Sequence, residues 1–365
     1  MKKICFLLGG FQGNGGIGRV TSILANELSQ NKNFEVHTIS YFQDKRPMLY
    51  NINFMIKQHA LFSTCLSMTR AIVCEHAIKN VREILNREKI DILIACGALF
   101  YPIGILSCKK TDTKCICWEH TNPEIKTDYK FQNLCRKFAV KQCNHIVVLT
   151  KSAKKYYKQH YHVCEEKISQ IYNPIDENAS KSIKYDKNSK KIITVGRLCY
   201  QKNIERLISI ASNILPKYPD WSWDVFGDGD LKEVLQKQIN DSGLTANLTL
   251  KGQVSDLYDR YREYAFMVMT SRYEGFPMTL IEGAANRLPL VSFDIPTGPD
   301  EIIMDGMNGY LIDKNSDGDM INKIIKLMDD TELRENMSDK VYELTKVFST
   351  EKVLEEWETL FAALI

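Results

Sequence analysis

The sequence predicts an α/β protein made of two doubly wound, parallel-sheet domains. Three observations carry this. Short β-branched runs alternate with amphipathic helical patterns from end to end. The alternation pauses at a polar stretch, Asp176–Lys191, and then starts afresh. The length, 365 residues, exceeds what one hydrophobic core usually holds. Hydrophobic residues at 44% and charged residues at 25% are a globular balance, which excludes a disordered tail, a collagen and a small disulfide scaffold. No internal repeat is visible, which excludes a solenoid.

In the first domain Lys3–Leu8 reads as a strand, followed by a glycine loop and a helix with Val20, Ile23, Leu24 and Leu28 on one face. Phe34–Ile39, Ile90–Ala95, Cys115–Trp118 and Ile146–Leu149 repeat the strand signal, and Met68, Ile72, Ile78, Val81 and Leu85 mark a helix among them. Ile171–Ile175 reads as the last strand, running into the proline-stiffened link. Beyond the link the strands are Ile192–Val195, Trp223–Phe226, Leu248–Leu250, Phe266–Met269, Leu290–Phe293 and Tyr310–Ile312. Helices are expected at Ile204–Ala211, Leu231–Ile239, Leu280–Ala285 and Met320–Met328, with a final one carrying Val353, Trp357 and Phe361. The domains are therefore 1–175 and 176–348, both Rossmann-like. Ligands of such folds sit at the carboxyl ends of the strands, so a site between the domains is expected.

The formal charge of +3 conceals an asymmetry. Residues 1–178 carry 25 Lys and Arg against 15 Asp and Glu, or +10, and the remainder 23 against 30, or −7. A basic half points to an anionic partner on that side. The eleven cysteines are irregularly spaced and lack a CxxC pair, as in a reduced, cytosolic protein. Cys115 and Cys117 fall on a strand and are expected to point to opposite faces or be split by burial, which argues against zinc. The N-terminus reads as a strand and not a signal peptide. The longest uncharged stretch, Ile92–Cys108, is interrupted by Gly97, Pro102 and Gly104 and is too short for a membrane span.

Four constellations carry chemistry. Gly13-Asn14-Gly15-Gly16-Ile17-Gly18 satisfies G-x-G-x-x-G between a strand and a helix, where glycines let backbone approach phosphate at a helix N-terminus. An NAD enzyme also wants an acid at the end of the second strand. Here Glu35 lies inside that strand and Asp44 beyond it, while Arg19 suits a charged leaving group. Arg197 and Lys202, at a strand-to-helix crossing, suit a cationic clamp for a diphosphate, with a pair of solvated surface charges as the structural alternative. In Ser271–Glu282, Glu274 lies on a Gly/Pro loop and Glu282 in the first turn of a helix. Thr279-x-x-Glu282 also fits a capping box, a purely structural alternative. Asp228-Gly229-Asp230 imitates a D-x-D metal motif but is explained as a turn plus N-cap, and Asp317-Gly318-Asp319 as a similar helix start. Finally, Lys151, Lys154, Lys155 and Lys158 surround Tyr156, Tyr157 and Tyr161, preceded by Lys126, Lys130, Arg136, Lys137 and Lys141. Interleaved lysine and tyrosine suit an anionic membrane surface, and no base-reading motif points to nucleic acid.

In this order, the glycine loop with Arg19, the Asn173–Asp176 link, the Gly196-Arg197…Lys202 clamp and the Glu274-x7-Glu282 segment resemble the retaining GT-B glycosyltransferases of family 4, over essentially the whole chain. The resemblance implies a nucleotide-sugar donor in the second domain, an acceptor in the first, and a last helix, about 349–365, crossing back onto the first domain. It implies that Arg197 and Lys202 hold the diphosphate, Glu282 the ribose and Glu274 the sugar hydroxyls. Backbone at Phe276, Pro277, Thr279 and Leu280, together with Val254, completes the donor site. Gly15, Gly16 and Arg19 face the phosphates, and His120, in Trp118-Glu119-His120-Thr121, matches the family's acceptor-side histidine. The catalytic set is then His120, Glu274, Arg197 and Lys202, with no cofactor and no metal. Pro296–Glu301 resembles a loop of hexosamine- and galactose-transferring members, a cue to a UDP-sugar. The expected acceptor is a polyprenyl-diphosphate-linked or other glycan of lipopolysaccharide or capsule type, met at the inner face of the cell membrane. A sugar-nucleotide epimerase and an NAD(P)-dependent enzyme are the alternatives on the same frame.

Overall fold

A computed structural model describes residues 1–12, 15–43, 48, 50–62, 75–125, 130–176, 184–254 and 257–365. Gly13, Asn14, Asp44, Met68, Ile72, Lys126 and part of the link lie outside the described residues. The chain divides into two compact units, Met1–Pro174 with Thr350–Ile365, and Ile175–Ser349.

The first unit holds a seven-stranded parallel sheet: β1 (Lys2–Leu8), β2 (Phe34–Phe42), β3 (Lys57–Phe62), β4 (Ile92–Cys96), β5 (Lys114–Trp118), β6 (His145–Val148) and β7 (Ile168–Gln170), in the order β3-β2-β1-β4-β5-β6-β7. All residues of β4 and β6 are buried, as expected of strands covered on both faces. Two departures have physical reasons. Strand β3 escapes the sequence pattern because it is an edge strand with an exposed or half-buried face throughout. The last strand is Ile168–Gln170, and Ile171–Ile175 is irregular. Ile171 still donates to the Val148 carbonyl, at 3.0 Å, before the chain turns toward Pro174.

Helices α1 (Gly16–Gln30), α2 (Glu75–Glu88), α3 (Tyr101–Cys108), α4 (Lys130–Gln142) and α5 (Lys151–Tyr161) belong to this unit. Helix α3 lies close to the sheet because Gly104 has no Cβ; one added there would stand 3.1 Å from the Ala95 Cβ. Cys115 and Cys117 share one face of β5, not opposite faces, since residues two apart on a strand project the same way. Both are in one core cluster with Cys5, Cys108 and Cys143. Among the described residues no group of three or more His, Cys, Asp or Glu could hold a metal ion.

The second unit holds a six-stranded parallel sheet: β8 (Lys191–Val195), β9 (Ser222–Phe226), β10 (Leu248–Gly252), β11 (Phe266–Met269), β12 (Leu290–Asp294) and β13 (Gly309–Asp313), in the order β10-β9-β8-β11-β12-β13. Its helices are α6 (Ile204–Ile214), α7 (Lys232–Asp241), α8 (Leu257–Arg260), α9 (Met278–Ala285), α10 (Pro299–Ile302), α11 (Asp317–Asp329) and α12 (Thr331–Leu344). The expected N-cap at Asp228–Asp230 does not form: α7 is capped by Leu231 without a side-chain bond, and Asp228 accepts from the Gly229 amide and pairs with Lys232. The start of α11 is capped by Ser316, which accepts from Asp319.

The final helix, α13 (Thr350–Leu364), returns to the first unit. There the Trp357 ring meets the Trp118 ring edge-on with centroids 5.1 Å apart, Phe361 meets Phe34, and Asn31 donates to Glu358. In both sheets the strand order reverses beside the first strand, between β1 and β4 and between β8 and β11. The crevice at such a reversal is where doubly wound folds hold ligands.

Candidate functional site

In the second unit the loops leaving β8 and β11, the two strands at the reversal, carry the site. Strand β8 ends at Val195, and Gly196-Arg197 leads into a 3₁₀ turn, Tyr200–Lys202. Asn203 then turns left-handed, at φ 55°, and opens α6. The Lys202 ammonium donates to Glu274 Oε1 at 2.6 Å, and Gln201 donates to Glu274 Oε2 at 3.2 Å and to the Tyr273 carbonyl at 3.0 Å. Gly196 makes room for the lysine stem, whose Cγ and Cδ would lie 3.1 Å from a Cβ. Arg197 is exposed, with no side-chain hydrogen bond or ion pair among the described residues. The two cations thus differ: Lys202 is held by a carboxylate and Arg197 points to solvent.

The Glu274 loop is fixed from a third side. Thr297, on the loop after β12, donates through its hydroxyl to the Glu274 carbonyl at 2.5 Å. Thr297 sits at φ 73°, a region that a β-branched residue enters only under strain, held by surrounding structure. Gly298 follows at φ 106°, where a Cβ would stand 2.5 Å from the Pro277 ring, so the two loops are in close contact. Helix α9 begins at Met278 with Pro277 at its N-cap and no side-chain cap bond, so the capping box Thr279-x-x-Glu282 does not form. Glu282 lies in the second turn, not the first. It is buried, with Oε2 accepting from the Tyr261 hydroxyl at 2.9 Å. Phe276, Pro277 and Leu280 are buried, and Thr279 and Val254 half-buried. This arrangement brings together Lys202 and Glu274 and leaves Glu282 on its own partner.

In the first unit Gly15 and Gly16 open α1, and a Cβ at either would meet nothing within 4 Å. Packing among the described residues does not require glycine at either position, so the open face there suits close approach of a ligand. The acid that a dinucleotide enzyme needs is not at the end of β2 among the described residues. Glu35 is spent inside the strand, on Lys57 and His37, both at 2.8 Å, and its carboxyl is held down at about 2, chiefly by the hydrogen bond from Lys57.

His120 follows β5 by two residues. Its ring packs on Trp118 with centroids 4.2 Å apart, and Nε2 is buried without a hydrogen-bond partner among the described residues. Burial pushes its pKa down to about 3, against the opposing pull of Glu119, so the imidazole is neutral at physiological pH.

The basic helices α4 and α5 need one correction each. Tyr157 is fully buried and donates to Glu119 Oε2 at 2.7 Å, so it is no membrane residue. Arg136 is buried as well, with Nε donating to Glu119 Oε2 at 2.6 Å. Lys154 and Lys158 both pair with Glu165, and Lys151, Lys155 and Lys158 are exposed. Tyr156 is half-buried and stacks on His160, centroids 3.9 Å apart. The four lysines rim an open basin of about 560 Å³ with Gln159, Glu165 and Gln170.

Gln201, Tyr261 and Thr297, which hold the two glutamates, escape the sequence because each comes from a different strand-loop and no spacing rule joins them. Glu119 was in view, adjacent to His120, but nothing local announces its partners on α4 and α5.

The family profile described as Glycosyl transferases group 1 matches residues 175–344, and that of Glycosyltransferase Family 4 matches 14–179. The chain is 26% identical to an uncharacterized glycosyltransferase of Haemophilus influenzae, over 98% of this chain and 99% of the relative. It is also 26% identical to the amylovoran biosynthesis glycosyltransferase AmsD of Erwinia amylovora, covering 99% of each. Among solved structures it is similar to a variant of S. aureus TarM in complex with fondaparinux, alpha-GlcNAc-glycerol and UDP. The TM-score is 0.81 at 18% identity, over 99% of this chain and 100% of that one.

Proposed function

Because the chain belongs to family 4 of the GT-B glycosyltransferases and is a glycosyltransferase of glycan synthesis, we propose that it is a retaining, metal-independent enzyme. In this proposal it moves a hexose or N-acetylhexosamine from a UDP-linked donor to a growing glycan. The observation that carries the proposal is the charge arrangement at the reversal of the second sheet, where Lys202 meets Glu274 at 2.6 Å beside an exposed Arg197.

Breaking a sugar–phosphate bond develops positive charge at the anomeric carbon and negative charge on the departing diphosphate. Fixed cations lower that barrier without a metal when they already stand where the charge appears. Arg197 and Lys202 supply them, aided by the positive end of the α9 dipole. Glu274, oriented by Lys202, Gln201 and Thr297, receives sugar hydroxyls, and Glu282 the ribose. Gly15, Gly16 and Arg19 serve the phosphates in the same proposal, and neutral His120 offers Nε2 to the donor sugar. Retention follows if the acceptor attacks on the face that the diphosphate leaves, with a phosphate oxygen taking its proton. The UDP preference is supported by the UDP found in the TarM complex. The acceptor is a lipid-linked glycan, reached by a chain bound peripherally at the inner membrane face through Lys151, Lys155 and Lys158. No helix among the described residues is long and apolar enough to cross a membrane.

Thermal shift against UDP, GDP and NAD, with magnesium or EDTA, tests the donor class. UDP is expected to stabilise the protein equally in both, by about 3 kcal/mol at a hundredfold excess over Kd. Stabilisation by NAD alone, or by UDP only with magnesium, would falsify the proposal.

A further inference from the structure

Glu119 is nearly fully buried and collects five hydrogen bonds. Arg136 Nε reaches Oε2 at 2.6 Å and its Nη2 reaches Oε1 at 3.4 Å. The Tyr157 hydroxyl donates to Oε2 at 2.7 Å. The Thr121 amide and hydroxyl donate to Oε1 at 3.1 and 2.7 Å. Arg136 closes the ring by donating to the Thr121 hydroxyl at 2.7 Å and to Asn133 at 3.1 Å. A buried ion pair of this kind is a weak source of stability, because desolvating both charges offsets most of their attraction. Such a pair is better suited to fixing one local arrangement.

The residue enclosed by this arrangement is His120. On one side the Glu119 amide is bonded to the Val147 carbonyl of β6 at 2.8 Å. On the other the Thr121 amide is tied to the Glu119 carboxylate. The backbone on both sides of His120 is therefore clamped, and its ring lies on Trp118. We propose that Glu119, Arg136 and Tyr157 are positioning residues, which use α4 and α5 to hold the His120 ring in one orientation for transfer. The inference rests on the role given to His120 above. It also assigns a purpose to two side chains, Arg136 and Tyr157, that the basic surface does not use.

The test pairs imidazole NMR with kinetics on the full chain. His120→Gln identifies the His120 ring correlations among those of seven histidines. Glu119→Gln and Tyr157→Phe are then compared with wild type for ring correlations, for UDP release from UDP-glucose and UDP-N-acetylglucosamine, and for Tm. The expected result is a His120 ring signal that shifts, splits or broadens, with kcat down by up to about 100-fold and KM for the donor little changed. Tyr157→Phe removes a single hydroxyl, so it decides the matter if Glu119→Gln does not fold. An unchanged His120 ring signal in a folded variant, whatever happens to Tm, would overturn the proposal. So would a disturbed ring with unaltered kcat. If wild type turns over neither UDP-sugar, the donor reading fails separately, and the ring signal alone decides whether the network positions His120.

Discussion

Arg197 and Lys202 look alike in the sequence and are unlike in the structure, which separates their contributions to activity and stability. Lys202 neutralises Glu274, whose side chain is only 7% exposed, so removing the ammonium strands a carboxylate with little water. Arg197 is exposed and holds no partner among the described residues. Lys202→Ala is therefore expected to lower both Tm and activity, with a stability loss of up to about 3 kcal/mol. Arg197→Ala should leave Tm within error while reducing UDP-sugar turnover by at least about 10-fold. Scanning fluorimetry and a UDP-release assay on the two variants check this; equal Tm losses would remove the distinction. The same comparison shows what a motif conveys. Arg197, Lys202, Glu274 and Glu282 were all legible from residue type and spacing. Which of them pair was not, because the Lys202–Glu274 bond joins residues 72 apart.

Most helices with an apolar face were legible, α4 and α12 excepted, as were strands with both sides buried. The edge strand Lys57–Phe62 and the three-residue strand Ile168–Gln170 were not, since neither needs a distinctive pattern to hold its place. Helix α5 shows the same limit from the other direction. Its lysines and tyrosines form one compositional patch, yet the helix faces two ways, with Tyr157 turned into the core and Lys151 and Lys155 into solvent. The membrane proposal accordingly rests on the exposed lysines Lys151, Lys155 and Lys158. Lys154 and Lys158 are engaged by Glu165, and surface pairs of that kind are weak enough to exchange for lipid phosphate. Each lysine near an anionic surface contributes about 1 kcal/mol, so reversing two of them costs more than their sum of attraction. Wild type should sediment with phosphatidylglycerol vesicles at low salt and not with phosphatidylcholine vesicles. Lys151→Glu/Lys155→Glu should reduce that binding at least about 10-fold, whereas equal partitioning of wild type onto both vesicles would count against attachment through this helix.

Across the whole molecule, the histidines are confined to one unit. All seven histidines of the chain lie between His37 and His162, inside the first unit, and the second has none. Four of them are depressed by burial: His120 to about 3, His145 to about 4, and His37 and His59, which share a hydrogen bond at 3.2 Å, in the same direction. A histidine kept neutral in the folded state binds fewer protons than its unfolded counterpart once the pH falls below about 6.5. Stability therefore drops as pH falls from 6.5 toward these depressed values, and it is retained above 6.5. The carboxylates act in a lower window. Glu35 and Glu165, both held at about 2, contribute stability that is lost only below about 4.5. Between pH 7 and pH 5 the first unit should thus weaken while the second does not, with its unfolding temperature lowered on the order of 5 °C. Hydrogen exchange followed by mass spectrometry at the two pH values, corrected for intrinsic rates, reads both units in one sample. Faster exchange is expected in β2, β5 and β6 and no change in β8 and β11. The buried charges of Glu119 and Arg136 stay paired throughout this window, so the loosening should begin at the His37–His59 edge and around His145. Uniform loosening of both sheets would show that the histidines are not its cause.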